Sequence, residues 1–322
     1  MINSLEADPV LAEVVRSGFV ESVHRGAAVA LAADGSVATH SGRIDIPIFP
    51  RSSNKPMQAV GMLRCGLDLD GELLALTAAS HSGEDFHVEG VRQILSGAGL
   101  SEDALQCPAS WPLDETTAHV LIRQGDGESR IRMNCSGKHA AMLATCVRNG
   151  WPTENYRDPD HPLQQAISVV VEELAGERVT AIGVDGCGAP VLALTLHGLA
   201  RAFRALVLVA PGTPERQVAD AMRAYPAWTS GTTRDEPKLM TAVPGLLLKG
   251  GAEGVDAFAL PDGRAGAVKI GDGAARARTP VTAAVLRQVG IIVPDEFITA
   301  PVTGGDAIAG ALRTVLQPSA VR

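Results

Sequence analysis

The chain has 322 residues, and its 36 acidic side chains outnumber 28 basic ones to give a formal charge of -8. That length suffices for a large core in one sizeable domain or two smaller ones, and an acidic chain without a basic stripe excludes a nucleic-acid or anionic-membrane surface. No apolar run reaches the eighteen or so residues a membrane helix needs, and "MINSLEADPVLAEVVRSG" lacks a basic segment followed by an apolar one, so a cytoplasmic location is expected. Five cysteines, an odd number in a large chain, do not form the disulfide framework of a small secreted domain and are expected to serve as thiols or metal ligands.

In chain order, "FVESVHRGAAVALAADGSVATHSG" has two apolar runs joined by Asp34-Gly35, and "IDIPIF" continues with period two, which predicts a strand meander. Helices are expected at 54–65, 71–78, 84–97, 136–149 and 163–175, several opening at Ser, Asp or Pro and closing at Gly. Near the far end "VDAFALPDGRAGAVKIGDG" reads as a hairpin turning at "PDG". Strands from both ends then pair in one antiparallel sheet flanked by helices, an α/β architecture with a helical lobe over about 54–175. Without a repeat or convincing linker, residues 1–322 are read as a single catalytic domain.

Three groups of residues carry chemistry. In "FPRSSNKPMQA" Pro50 and Pro56 bracket a helix start, and Ser52 and Lys55, three residues apart, can share one face beside the positive end of the helix dipole. A lysine amine kept neutral there can take the serine proton; the plain alternative is a capping serine beside a solvated lysine. The loop "AASHSGED" offers Ser80, and "AVKIGDG" places Lys269 late in a strand among apolar neighbours, a position that also suits an edge lysine opposing aggregation. The order Ser-x-x-Lys, Ser-x-Ser, Lys-x-Gly follows that of serine β-lactamases and penicillin-binding proteins. The middle motif lacks their amide residue, however, and Ile270 stands where a hydroxyl residue is usual.

The third group is "RMNCSGKHAAMLATC", with Cys135, Lys138 and His139, together with "AIGVDGCGAPVLA", with Asp185 and Cys187 in a glycine turn. Buried thiols are often packing residues. Thiolate and imidazole also suit zinc, yet neither Cys-x-x-Cys nor His-x-x-x-His spacing is present.

The segments "RSSNKPMQA", "ASHSGED", "NCSGKHAAMLA", "DHPLQ", "DGCGAP" and "AVKIGDG", in this order from about residue 18 to 306, resemble the motifs of the bacterial asparaginase II type, the Rhizobium-type asparaginases, which are unrelated to the Thr-dependent enzymes. The resemblance implies hydrolysis of L-asparagine to L-aspartate and ammonia on a serine β-lactamase- or glutaminase-like fold, usually as a homodimer. It implies two Ser-Lys pairs, Ser52 with Lys55 and Ser80 with Lys269, and a zinc site at Cys135, Lys138 and Cys187 near the substrate. Arg51 can hold an α-carboxylate bidentately and Asp185 can pair with an α-ammonium, with His139 a third candidate for substrate contact. The competing readings are a serine β-lactamase or peptidase-like hydrolase, and a non-enzymatic zinc-stabilised amino-acid-binding protein.

Overall fold

The structure, a computed structural model, describes residues 8–316; the first seven residues, part of the N-terminal stretch read for a leader, lie outside the described residues. The chain forms two compact units. One comprises the residues up to Ser53, Leu194–Leu208 and the residues from Leu239 onward; the other comprises Asn54–Ala193 and Val209–Lys238. Among the described residues no helix is long and apolar enough to cross a membrane.

The first unit is built on an antiparallel sheet whose strands run in the spatial order Thr299–Gly304, Ala307–Thr314, Val10–Arg16, Phe19–Leu31, Ala265–Ile270, Val255–Ala259, Leu247–Gly251, with Val37–Ser41 paired to the later half of Phe19–Leu31. Strands from both ends of the chain therefore pair, with Ala28 opposite Val268 and Lys269 opposite Ala27. The central strands are apolar runs with little alternation because both faces are covered. Ala28, Ala30, Phe258, Val268 and Ile270 face a cluster with Val281, Val285 and Leu286 of the helix Ala275–Gln288. The intervening Val29, Leu31, Ala257, Ala265 and Ala267 are buried as well, beneath the helix Leu196–Leu208, whose buried stripe holds Leu199, Phe203 and Leu206. The segment "IDIPIF", read as a strand, contributes only the two-residue pair Pro47–Ile48 against Leu194–Thr195. Pro47 cannot donate to a ladder, which limits the extension.

The second unit is helical. Lys55–Arg64, Gly71–Thr77, Asp85–Gly97, Ser136–Asn149 and Pro162–Ala175 fall within a residue or two of the expected helices. The first begins with Pro56 in its opening turn, the fourth ends on left-handed Gly150, and the last is capped by His161, whose Nδ1 accepts from the Leu163 amide at 3.1 Å ahead of Pro162. The helix Ser136–Asn149 runs through the centre of this unit, with Ser136 to Leu143 all buried. It approaches Gly71–Thr77 so closely at Gly137 that a Cβ there would lie 2.6 Å from the Leu76 carbonyl oxygen. Glycine is required at that crossing, and it brings the next residue, Lys138, into the interior. A hairpin, Ile182–Val184 with Pro190–Leu192, carries the turn with Asp185 and Cys187.

Phe203 is fully buried on its face of the sheet. Phe203→Ala is expected to destabilise the protein by about 3–5 kcal/mol through lost transfer energy and a residual cavity, read as a lower urea midpoint with an unchanged slope.

Candidate active site

In the helical unit a buried lysine gathers three polar groups from two segments. Lys55 is 1% exposed. Its Nζ donates to the Ala79 carbonyl, lies 3.0 Å from Ser80 Oγ and 3.1 Å from Cys135 Sγ. These partners are a carbonyl, a hydroxyl and a thiol, none of them a carboxylate. Ser80 is fixed in turn, its amide donating to the Thr229 carbonyl at 2.9 Å.

Next to this lysine is a second cationic group with a thiol partner. Lys138 Nζ lies 3.2 Å from Cys187 Sγ, and both residues are buried. The adjacent Cys135 thiol, followed by the charge of Lys138 and the His139 ring, holds the Cys187 thiol far below its ordinary range although burial opposes this. The proximity of Cys187, and then burial, push Cys135 well above its own range. Burial alone would lower Lys138, but Cys187, Cys135 and Asp185 raise it above the usual lysine value. At neutral pH the set therefore reads as a Cys187 thiolate paired with a Lys138 ammonium, beside a neutral Cys135 thiol.

His139 is fully buried, its Nδ1 2.6 Å from the Tyr156 hydroxyl, which accepts from the Gln106 amide at 3.2 Å. Burial lowers the imidazole to about 4. Its Nε2 has no hydrogen-bond partner of good geometry, while the ring lies close enough to Cys187 for each to perturb the other. Asp185 folds back on its own turn, its amide donating to the Ala189 carbonyl at 2.9 Å and Oδ1 accepting from the Gly186 amide at 2.9 Å. Gly188 closes that turn with φ +81° directly under the Arg157 guanidinium.

Zinc, implied by the resemblance, can be weighed against this donor set. Among the described residues no three His, Cys, Asp or Glu side chains are grouped to hold a metal ion. Two thiols in contact, a lysine nitrogen and an imidazole nitrogen without a partner nevertheless form a soft-to-borderline cluster of the kind zinc selects. The set fits if Lys138 serves as a ligand, which requires its amine to give up a proton.

The remaining candidates lie in the sheet unit. Ser52 belongs to the 3-10 turn Arg51–Asn54, where Arg51 takes a left-handed conformation at φ 52° and its guanidinium stands 3.7 Å from Glu253. Ser53, fully buried, anchors that turn by donating to the Lys249 carbonyl at 3.0 Å. Lys269 donates to the Glu253 carbonyl at 2.6 Å and the Ile270 carbonyl at 2.5 Å, and burial lowers its pKa. Within the helical unit the structure thus brings Lys55 together with Ser80 and Cys135, and Lys138 with Cys187 and His139. Ser52, Arg51 and Lys269 belong to the other unit. Tyr156 was not singled out from sequence; the signal available was a tyrosine in a polar loop of a chain with only two, since a buried hydroxyl needs a partner.

A buried amine thus faces a hydroxyl and a thiol, and a second buried amine faces another thiol. Residues 12–313 match the model of the L-asparaginase II family, and the chain belongs to that family, which makes it asparaginase-like and an amidohydrolase by kind. No curated protein matches the chain. Similar solved structures include Mglu in its native form, 15% identical over 88% of this chain and 68% of that one at a TM-score of 0.47. The same protein in 4.3 M NaCl is 15% identical over 84% of this chain and 62% of that one at 0.48; the chain thus spans about two thirds of Mglu. EstCE1, a hydrolase with promiscuous acyltransferase activity, is 13% identical over 82% of this chain and 93% of that one at 0.44.

Burial lowers both His139 and His87 to about 4 from an unfolded value of 6.5. A histidine with a depressed native pKa contributes stability that is complete above 6.5 and is lost as pH falls toward 4, because the unfolded chain takes up the proton first. Unfolding free energy is expected to drop across that window by up to about 3 kcal/mol for each such ring. Urea melts between pH 7 and 4.5 check this, with His87→Gln flattening the slope.

Proposed function

We propose that the protein hydrolyses L-asparagine to L-aspartate and ammonia through a serine acyl-enzyme, with Lys55 as the base. The observation that supports this most is the set of partners around Lys55. A hydroxyl and a thiol can each donate or accept, so the amine can gain or lose a proton without leaving an unsatisfied buried group. The chemistry then proceeds in two halves. Lys55, as the free amine, takes the serine proton; the oxygen attacks the side-chain carboxamide carbon; the C–N bond breaks and ammonia leaves with the returned proton. Water next attacks the acyl carbon, its proton passing to a lysine, and aspartate is released with the serine restored. Ser52, three residues before Lys55 in the sequence, is the proposed nucleophile, as the family motif implies. Ser80 and Lys269 are proposed to relay protons or hold the amide, burial lowering the pKa of Lys269 from the usual lysine range.

Substrate selection is assigned to Arg51 for the α-carboxylate and to Asp185 and His139 for the amino-acid head. Cys135, Lys138 and Cys187 would hold a zinc ion, whose charge, when bound, orients the substrate and raises its affinity. The chain's own contribution is a thiol at Cys187 whose pKa is held low by its neighbours and a lysine that must shed a proton on loading. A homodimer, the state the resemblance implies, is part of this proposal and is checked by light scattering on a sizing column.

Ser52→Ala is expected to abolish ammonia release from L-asparagine while costing no more than about 0.5–2 kcal/mol of stability, the range for a lost helix cap. Near-wild-type turnover in that variant, with loss in Ser80→Ala, would transfer the nucleophile to Ser80. Lys55→Arg keeps a cation but not a base at neutral pH, and a severe loss of turnover is expected; a coupled ammonia assay over asparagine, glutamine, β-aspartyl peptides and nitrocefin measures both this and the substrate class. Elemental analysis of protein purified without chelator should find one zinc per chain, absent from Cys187→Ala. Affinity should weaken at lower pH, and chelation should raise KM more than it lowers kcat. Wild-type protein without zinc would remove the metal and leave the Ser-Lys chemistry standing.

A further inference from the structure

We propose that His81 is a positioning residue that holds Ser80 and Cys135 together on Lys55, an inference that rests on the Lys55 chemistry proposed above. The ring is fully buried, and each of its polar groups has one role. Its Nδ1 accepts from the Gly83 amide at 3.1 Å, so that nitrogen carries no proton. The proton of the neutral imidazole is therefore on Nε2, 2.8 Å from Ser136 Oγ. The Ser136 hydroxyl accepts it and donates onward to the Ile131 carbonyl at 2.6 Å. The backbone amide of His81 donates to the Asn134 carbonyl at 3.0 Å.

The consequence is geometric. Asn134 and Ser136 flank Cys135, and Ser80 precedes His81, so one residue clamps the loop bearing the hydroxyl to both sides of the residue bearing the thiol. Those two groups are the side-chain acceptors of Lys55 Nζ, at 3.0 and 3.1 Å. The ring also stacks on His87 at a centroid distance of 5.0 Å and an interplanar angle of 19°, which fixes its plane. An imidazolium cannot replace the neutral ring, because a proton on Nδ1 would face the Gly83 N–H. Burial, and then the proximity of His87 and Lys55, disfavour that form in the same direction. His81 touches no reacting atom in the proposed reaction; its part is to keep Ser80 and Cys135 in register.

The test compares His81→Ala, His81→Gln, Ser136→Ala and the His81→Ala/Ser136→Ala double variant. Misplacing reacting groups by an ångström costs about a hundredfold, so His81→Ala is expected to lower kcat for asparagine roughly tenfold to a hundredfold with KM within about threefold. Glutamine carries an acceptor and an N–H donor on one amide and should restore most of kcat, and the double variant should be no worse than the poorer single. Hydrogen exchange gives a readout independent of activity: His81→Ala should raise exchange in segments 78–84 and 133–138 and leave the helix Pro162–Ala175 unchanged. In folded His81→Ala, a kcat within threefold of wild type, a loss carried by KM, or multiplying effects in the double variant overturn the proposal. If the wild type releases no ammonia, the asparaginase reading has failed, and exchange decides the clamp: unchanged protection in both segments rejects it.

Discussion

Lys55 is a buried amine whose hydrogen-bond partners are a carbonyl, a hydroxyl and a thiol. An ammonium moved into an apolar interior loses hydration on a scale that protein dipoles offset only when they are preoriented. Here the Ala79 carbonyl, the Ser80 hydroxyl and the Cys135 thiol supply those dipoles, and each comes from a segment fixed by other contacts. Ser80 is tied to Thr229, Cys135 sits at the head of a helix that crosses its neighbour over Gly137, and Lys55 opens a helix behind Pro56. Removing any of these supports leaves a polar nitrogen in the interior with one partner fewer, so the local fold and the amine stabilise each other.

The Lys138–Cys187 pair solves the same problem by a different route. Its lysine faces the Cys187 sulfur at 3.2 Å, and each group shifts the other's protonation toward the charged state. Cys135 lies between the two arrangements, in contact with Lys55 on one side and Cys187 on the other. A change in protonation at one lysine is therefore felt by the other through a single polarisable sulfur.

The helical unit was legible because its signals are local: Pro56 and Pro162 open helices, Gly150 and Gly176 close them, and the predicted spans fall within a residue or two of those observed. Elements whose local sequence argues against them were missed. The helix Ala275–Gln288 contains Pro280, a helix breaker by propensity, yet Val281, Val285 and Leu286 bury against the sheet and override it. The strands Thr299–Gly304 and Ala307–Thr314 hold Pro301, Gly304 and Gly310, which argue against a strand by propensity, and bury only Leu312 fully. At the site the residue types were readable, and so was the family that joins them. The contact of Cys135 with Cys187 was not, because no metal-binding spacing links residues so far apart. The Lys55–Ser80 contact likewise depends on how two helices pack.

The pairing of Phe19–Leu31 with Ala265–Ile270 bears on how the chain is made. An apolar strand from the start of the chain is the central neighbour of one near its end, and the helical segments are synthesised between them. On a ribosome, "GAAVAL" emerges long before its partner exists and remains an unsatisfied sheet edge while the helices can already collapse locally. Closure of the sheet on that side must wait for residues 265–270. The same stretch is the segment from which misassembly would start if elongation stalled before Ala265, so dependence on a chaperone should track the interval between those two strands more closely than the stability of the finished fold.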